Sequence, residues 1–268
     1  MSLTPHDSGR SGAPAQAADP AWVDGELLNP HVRADKANKV RRMFAAIAGS
    51  YDLNNRVHSL GRDQAWRRYA VKVAQVQPGE EVLDVACGTG DLTQAFATSP
   101  AKRVVGLDFT PEMLDFANKK RAFQPSGCAE KLSYLEGDAQ SLPFADGSFD
   151  VVSIAFGIRN VLEPSKALRE FFRVLRPGGR LVILEFERPK NALVRVFNDL
   201  YCGAIMPRTA TIISKDTSGA YKYLPKSVAT FLTREQMRSQ MAEAGFGELN
   251  ATGLTMGICV CYRGVKAK

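Results

Sequence analysis

The spacing of apolar positions changes along the chain. From Asp35 to Gly49, Val40, Met43, Phe44 and Ile47 return at helical intervals, which predicts a helix. A second helix is predicted over Asp63 to Val76, with Trp66, Tyr69, Ala70 and Val73 on one side and Pro78-Gly79 ending it. Beyond it, short apolar runs alternate with helical segments. Glu81–Ala86, Arg103–Asp108, Leu132–Glu136, Phe149–Phe156 and Arg180–Phe186 read as strands, and Asp91–Ala97 and Pro164–Leu175 as helices. Thr110-Pro111 opens a further helix with Thr as N-cap and Pro at the first position, and Arg176-Pro177-Gly178-Gly179 is expected to end the one before it. This alternation predicts an α/β fold with a mainly parallel sheet covered on both faces.

The rhythm breaks at Ala192, where an apolar-rich stretch to Met206 is followed by Pro207 and a polar connection. Thr233-Arg234-Glu235-Gln236 has the form of a capping box and starts a helix that Gly245 ends. Glu248–Leu254 and Gly257–Arg263, joined by a very short connection, are expected to be an antiparallel pair closing the sheet. Residues 1–20, rich in Ser, Gly, Pro and Ala, read as a disordered tail, and 1–32 as tail and lead-in to one domain over 33–268.

Composition narrows the class without changing this picture. The chain has 268 residues, 45% hydrophobic and 24% charged, which excludes wholesale disorder, collagen and coiled coil. No apolar run nears the roughly 18 residues of a membrane span, and no apolar leader or Arg-rich transit segment opens the chain. Five Cys (87, 128, 202, 259, 261), an odd number with no C-x-x-C pair, fit a reducing cytoplasm better than disulfides, and no metal site is expected. Charge does change the picture. Arg33, Lys36, Lys39, Arg41, Arg42, Arg56, Arg62, Arg67, Arg68 and Lys72 face only Asp35, Asp52 and Asp63, so residues 33–72 carry +7, the whole net charge. A partner for that region is an anionic membrane surface or an acidic ligand; the bland reading is a solvated helix face.

The chemistry lies in Val82-Leu83-Asp84-Val85-Ala86-Cys87-Gly88-Thr89-Gly90-Asp91, a strand running through Gly-x-Gly into a helix. A nicotinamide fingerprint needs a third Gly or Ala where Thr93 stands. Asp108, ending the second strand, is placed to accept hydrogen bonds from ribose hydroxyls, Asp138-Ala139 to reach an adenine ring, and Asp84 to hold an ammonium group. An adenosine that carries an amino acid is S-adenosylmethionine.

Tyr51-Asp52, the glycine loop, Phe156-Gly157-Ile158-Arg159-Asn160-Val161, Arg173–Gly179 and Tyr221-Lys222-Tyr223-Leu224 together resemble the ubiquinone/menaquinone C-methyltransferase family, within the Rossmann-like class I S-adenosylmethionine-dependent methyltransferases. The resemblance runs from about Lys39 to Lys266 and implies methylation of a ring carbon of a prenylated quinol. It implies cofactor contacts at Gly88, Thr89, Gly90, Asp108, Asp138 and Ala139 and at Ala155, where some members have Ser. Residues 33–77 would form a helical cap and 190–230 an insertion covering the substrate. Asp63 replaces a His of several members, and Glu187 a frequent Ser.

Ring carbon is a weak nucleophile until a phenolic proton leaves, so Arg159 is expected to stabilise the phenolate, Asn160 to orient the ring oxygen and Tyr51 to help close the site. The bland reading of Arg159 is a loop-fixing ion pair, and of Tyr221 and Tyr223 plain core rather than quinol-pocket walls. Alternatives are a methyltransferase for another acceptor, such as a phospholipid amine, and a non-catalytic scaffold in quinone synthesis. No nucleic-acid partner is expected; an oligomer is left open.

Overall fold

The computed structural model describes residues 20–268 except Lys215 and Thr217; the expected tail, bar Pro20, lies outside them. Its strands are β1 (Glu81–Val85), β2 (Arg103–Asp108), β3 (Leu132–Glu136), β4 (Phe149–Ala155), β5 (Leu175–Phe186), β6 (Gly247–Leu254) and β7 (Cys259–Val265). They make one sheet in the order β3-β2-β1-β4-β5-β7-β6. The first five strands are parallel, and β7 runs antiparallel to both β5 and β6. After β1 the chain moves outward through β2 and β3, then returns to place β4 on the other side of β1. That reversal opens a crevice beyond the carboxyl ends of β1 and β4.

The central strands are short apolar runs because both faces are covered. Leu83, Val85, Val152, Ile154, Leu181 and Ile183 point to one face, under Leu168 and Phe171 of α7 (Pro164–Val174) and Met237 and Met241 of α11 (Arg234–Glu243). Their alternates Val82, Val104, Val151, Val182 and Leu184 point to the other. There they meet Trp66 and Ala70 of α3 (Arg62–Ala74) and Leu92 and Phe96 of α4 (Asp91–Ala97). Cys259 and Cys261 lie buried in this second layer as free thiols. Helices α5 (Pro111–Arg121) and the one-turn α6 (Ser126–Ala129) connect β2 to β3.

A third apolar cluster stands over the crevice. It joins α1 (Lys36–Ile47), α2 (Tyr51–His58), α9 (Met206–Ser214) and α10 (Ala220–Ala229) through Val40, Met43, Ile47, Tyr51, Ala210, Tyr221 and Tyr223. The lead-in packs here as well. Trp22 is buried and stacks on Tyr223 with ring centroids 4.7 Å apart, and its backbone N–H donates to the Ser218 carbonyl. α8 (Ala192–Leu200) continues through a π-helical turn, Tyr201–Ile205, into α9. Pro207 follows that π-helical turn directly and lies within the helical run without ending it. Several elements depart from the sequence expectation. α2, α6 and α10 were not foreseen as helices, α9 takes the place of part of the polar connection expected after Met206, and β5 begins at Leu175 rather than Arg180, running through Pro177-Gly178 past a register shift against β4.

His31, in the lead-in, has Nε2 2.8 Å from the Ser227 carbonyl and a buried Nδ1 without a partner. Burial, with Lys36 and Arg159 adding like charge, pushes its pKa down to about 4. The folded value lies below the unfolded one, so this contribution to stability is present above about pH 6.5 and is lost as pH falls toward 4. The melting temperature is expected to fall across that window, and His31→Gln to flatten the fall. An unchanged slope in the variant would assign the acid sensitivity elsewhere.

Candidate functional site

β1 ends in a loop that must turn back sharply into α4. Gly88 and Gly90 take φ of +56° and +82°, which L side chains adopt only with strain. Gly90 has no room for a side chain either, because a Cβ there would meet the Tyr134 ring, with Cζ at 3.0 Å. At the end of β2, the Asp108 carboxylate accepts from the Gly88 N–H at 2.7 Å and the Thr110 N–H at 2.9 Å. Burial pushes the Asp108 carboxyl up, and the two backbone amides pull it back toward the ionised form.

A cleft of about 800 Å³ opens above these groups. Gly88, Asp108, Asp138, Ala139, Ala155, Asn160 and Tyr51 line it, so seven of the residues singled out from sequence meet in one place. Val40, Phe44, Leu107 and Met113 supply an apolar wall. Asp138 accepts from the Gln140 N–H at 2.9 Å, an Asx turn that holds Ala139 against the cavity. Tyr51 faces Gly88 across the cleft, its ring 4.0 Å from where a Cβ would stand. Burial raises the Tyr51 hydroxyl above the ordinary phenol range, so at neutral pH it is a hydrogen-bonding group and not a base.

The remaining expected residues are held elsewhere. Asp84 does not line the cleft; its two oxygens accept from Thr93 Oγ1 and Ser153 Oγ, each at 2.7 Å, tying α4 and β4 to β1. Burial lifts its pKa to about 6. It stands as a strut beneath the glycine loop. Thr89 also points away. It donates to Asp52 Oδ1 at 2.6 Å, and Lys120 bridges Asp52 and Asp91, so a clasp fastens α2 to the glycine loop.

Arg159 lies behind the cleft wall. Its guanidinium donates to Glu185 Oε1 and to the Phe156 carbonyl, both at 2.6 Å, and the ion pair is almost wholly buried. Asn160 does face the cleft. It donates to the same Phe156 carbonyl at 3.2 Å and accepts from Tyr223 Oη at 2.9 Å. Arg159 and Asn160 thus share one carbonyl, and what the first fixes the second presents. Among the positions read from the sequence as departures from the family pattern, Ala155 lines the cleft, Asp63 pairs with Arg67 at 3.0 Å, and Glu187 pairs with Arg234.

Three participants were missed. Glu185 interrupts the apolar run of β5, and a carboxylate there is a readable sign of a buried partner. Tyr223 was read as a pocket wall or as plain core, although its hydroxyl holds Asn160. Lys36 is buried on α1 and donates to the Val161 carbonyl at 2.6 Å, with its pKa pushed down to about 8 by burial and by Arg159. Nothing in the sequence separates it from the other basic residues around it. His58 does not line the cleft and contacts Tyr201.

Comparison with known proteins follows from this geometry. Residues 32–266 match the ubiE/COQ5 methyltransferase family. A ubiquinone/menaquinone biosynthesis C-methyltransferase of Shewanella sp. (strain ANA-3) is 39% identical over 251 residues, 91% of this chain and 99% of that protein. The protein of the same description from Geotalea daltonii is 42% identical over 234 residues, 87% of this chain and 98% of its own. Among solved structures, an S-adenosylmethionine-dependent methyltransferase from Thermotoga maritima superposes with a TM-score of 0.58 at 22% identity, covering 85% of this chain and 99% of its own, a likeness of fold.

Proposed function

The chain belongs to the ubiE/COQ5 methyltransferase family, and from that premise we propose that it transfers a methyl group from S-adenosylmethionine to a ring carbon of a prenylated quinol, demethylmenaquinol or the corresponding ubiquinol precursor. The observation that carries this reading is one cleft lined both by the loop and strand-end groups Gly88, Asp108 and Asp138 and by Asn160 and Tyr51.

The first of these groups fits the cofactor. Backbone without side chains at Gly88 permits close approach, the Asp108 carboxylate keeps lone pairs for a ribose diol, and Leu107, Met113 and Ala139 make an apolar slot for a flat base. When bound, S-adenosylmethionine supplies an electrophilic methyl on a sulfonium. The chain's own task is to hold the acceptor carbon in line with that methyl, and positioning of this kind is worth roughly 7–11 kcal/mol. The Asn160 amide is fixed from both sides, by Tyr223 and the Phe156 carbonyl, so it meets a ring oxygen at no ordering cost. Arg159 is a positioning residue that holds this carbonyl. Methylation would form a carbon–carbon bond, break the methyl–sulfur bond with S-adenosylhomocysteine as leaving group, and release the ring proton. Of the ionisable groups that line the cleft, Tyr51 keeps its own proton and the Asp108 and Asp138 carboxylates are engaged by backbone N–H groups, which leaves water to take that proton out.

The test is turnover with labelled S-adenosylmethionine on demethylmenaquinol and on the demethylated benzoquinol in detergent, read as a mass shift of the ring. A carbon-bound methyl on either is expected. Transfer to neither, with S-adenosylhomocysteine still bound, would point to another acceptor or to a scaffold.

A further inference from the structure

Among the described residues no helix is long and apolar enough to cross a membrane, yet one surface is strongly apolar. On α8, Leu193, Val196, Phe197 and Leu200 recur every three or four residues and are 58–72% exposed. A single stripe of this kind on a helix normally faces a core, and here it faces outward. Leu53, Val57 and Leu60 make a second exposed stripe along α2 and just past it, with Leu60 88% exposed. The two stripes are linked, since Tyr201, next after α8, contacts His58 of α2 at 3.0 Å. Ile205 and Ile212, in the turn and along α9, add to the same exposed set.

Charge identifies the occupant. Residues 53–62 and 188–214 hold Arg56, Arg62, Arg188, Lys190, Arg195 and Arg208 against Asp199 alone. Arg62, Arg195 and Arg208 have no carboxylate partner among the described residues. By contrast, much of the basic run over 33–72 is spent internally. Lys36 and Arg67 are buried, Arg33 and Lys39 pair with Glu26, and Arg41 pairs with Glu136.

We propose that α2, α8 and α9 dock on an anionic bilayer, with the leucine and phenylalanine stripe sunk into the interface and the arginines at headgroup level. This docking rests on the prenylated acceptor proposed above. The inner sides of the same helices reach the cleft cover, through Tyr51 on α2 and Ala210 on α9, so an acceptor with its tail in the lipid meets the cleft without leaving the membrane. The same apolar side chains, left in water, have a standing cost that only a second surface relieves.

The test is sedimentation with phosphatidylglycerol/phosphatidylethanolamine vesicles and with phosphatidylcholine vesicles. The protein is expected to bind the first more tightly, with binding falling as salt rises. Leu193→Glu/Phe197→Glu is expected to reduce vesicle affinity at least tenfold and leave S-adenosylhomocysteine binding unchanged, the control for folding. Arg195→Glu/Arg208→Glu is expected to abolish the preference for anionic vesicles. No vesicle binding overturns the proposal, as does binding that the apolar double variant leaves intact, or a dimer in ultracentrifugation that the same variant dissociates. Vesicle binding needs no acceptor, so its failure is distinct from a failure to methylate a short-tailed quinol in solution.

Discussion

Asp108→Ala is expected to weaken S-adenosylhomocysteine binding, measured by calorimetry, by about 100-fold or more. Two effects add. The carboxylate's charge-assisted hydrogen bonds to a ribose diol are lost, each worth roughly 1.5–3 kcal/mol. The Gly88 and Thr110 amides also lose their acceptor, at 2.7 and 2.9 Å, which releases the glycine loop. Asp108→Asn is expected to rescue little, because an amide nitrogen would then face a backbone N–H, donor against donor. Asp138→Ala has the smaller effect, since its main partner is the neighbouring Gln140. A dissociation constant for Asp108→Ala within about threefold of the parent would place the ribose elsewhere.

Glu185→Ala is expected to lower stability by about 3–5 kcal/mol, because it strands the buried Arg159 charge. For a domain of this size that is a fall in melting temperature of roughly 10 °C. Removing both charges, as Arg159→Met/Glu185→Leu, is expected to restore most of the melting temperature but not the turnover. The Phe156 carbonyl would lose the guanidinium that fixes it, and Asn160 would lose a fixed partner. Stability and activity separate in this pair only if Arg159 positions the site. If turnover returned with stability, the ion pair would be structural alone. A single variant melting within about 2 °C of the parent would deny the burial cost.

The sequence reading succeeded where local pattern and tertiary demand agree. Val82–Val85 and Val151–Ile154 sit between two layers, so they are apolar throughout and read as strands. Thr233 and Gln236 cap each other within one turn, so their helix start was visible. α10 was not, because Pro225 lies inside it and its helical state is held by the packing of Tyr221, Tyr223 and Ser227. α2 is eight residues with two asparagines, tied to the glycine loop by the polar Asp52–Thr89 bond and not by apolar spacing alone.

The site divides in the same way. Gly88, Gly90 and Asp108 were legible because a turn and a strand end are local events. Where Asp84 and Arg159 point was not, because Ser153 lies 69 residues from the first, and Glu185 and Ser227 lie 26 and 68 from the second. A residue type announces that it needs a partner, and only the fold supplies which one.

The packing of Trp22 against Ser218 and Tyr223 bears on how the protein is made. During synthesis Trp22 and the glycine loop emerge early, while α10, the helix that receives Trp22, begins only at Ala220. The packing behind the cleft, including the Tyr223 hydroxyl that holds Asn160, is therefore assembled near the end of translation. A nascent chain stalled before Tyr223 has every residue that lines the cleft but lacks the helix that backs them, so the cleft is set in place only with the chain's last quarter.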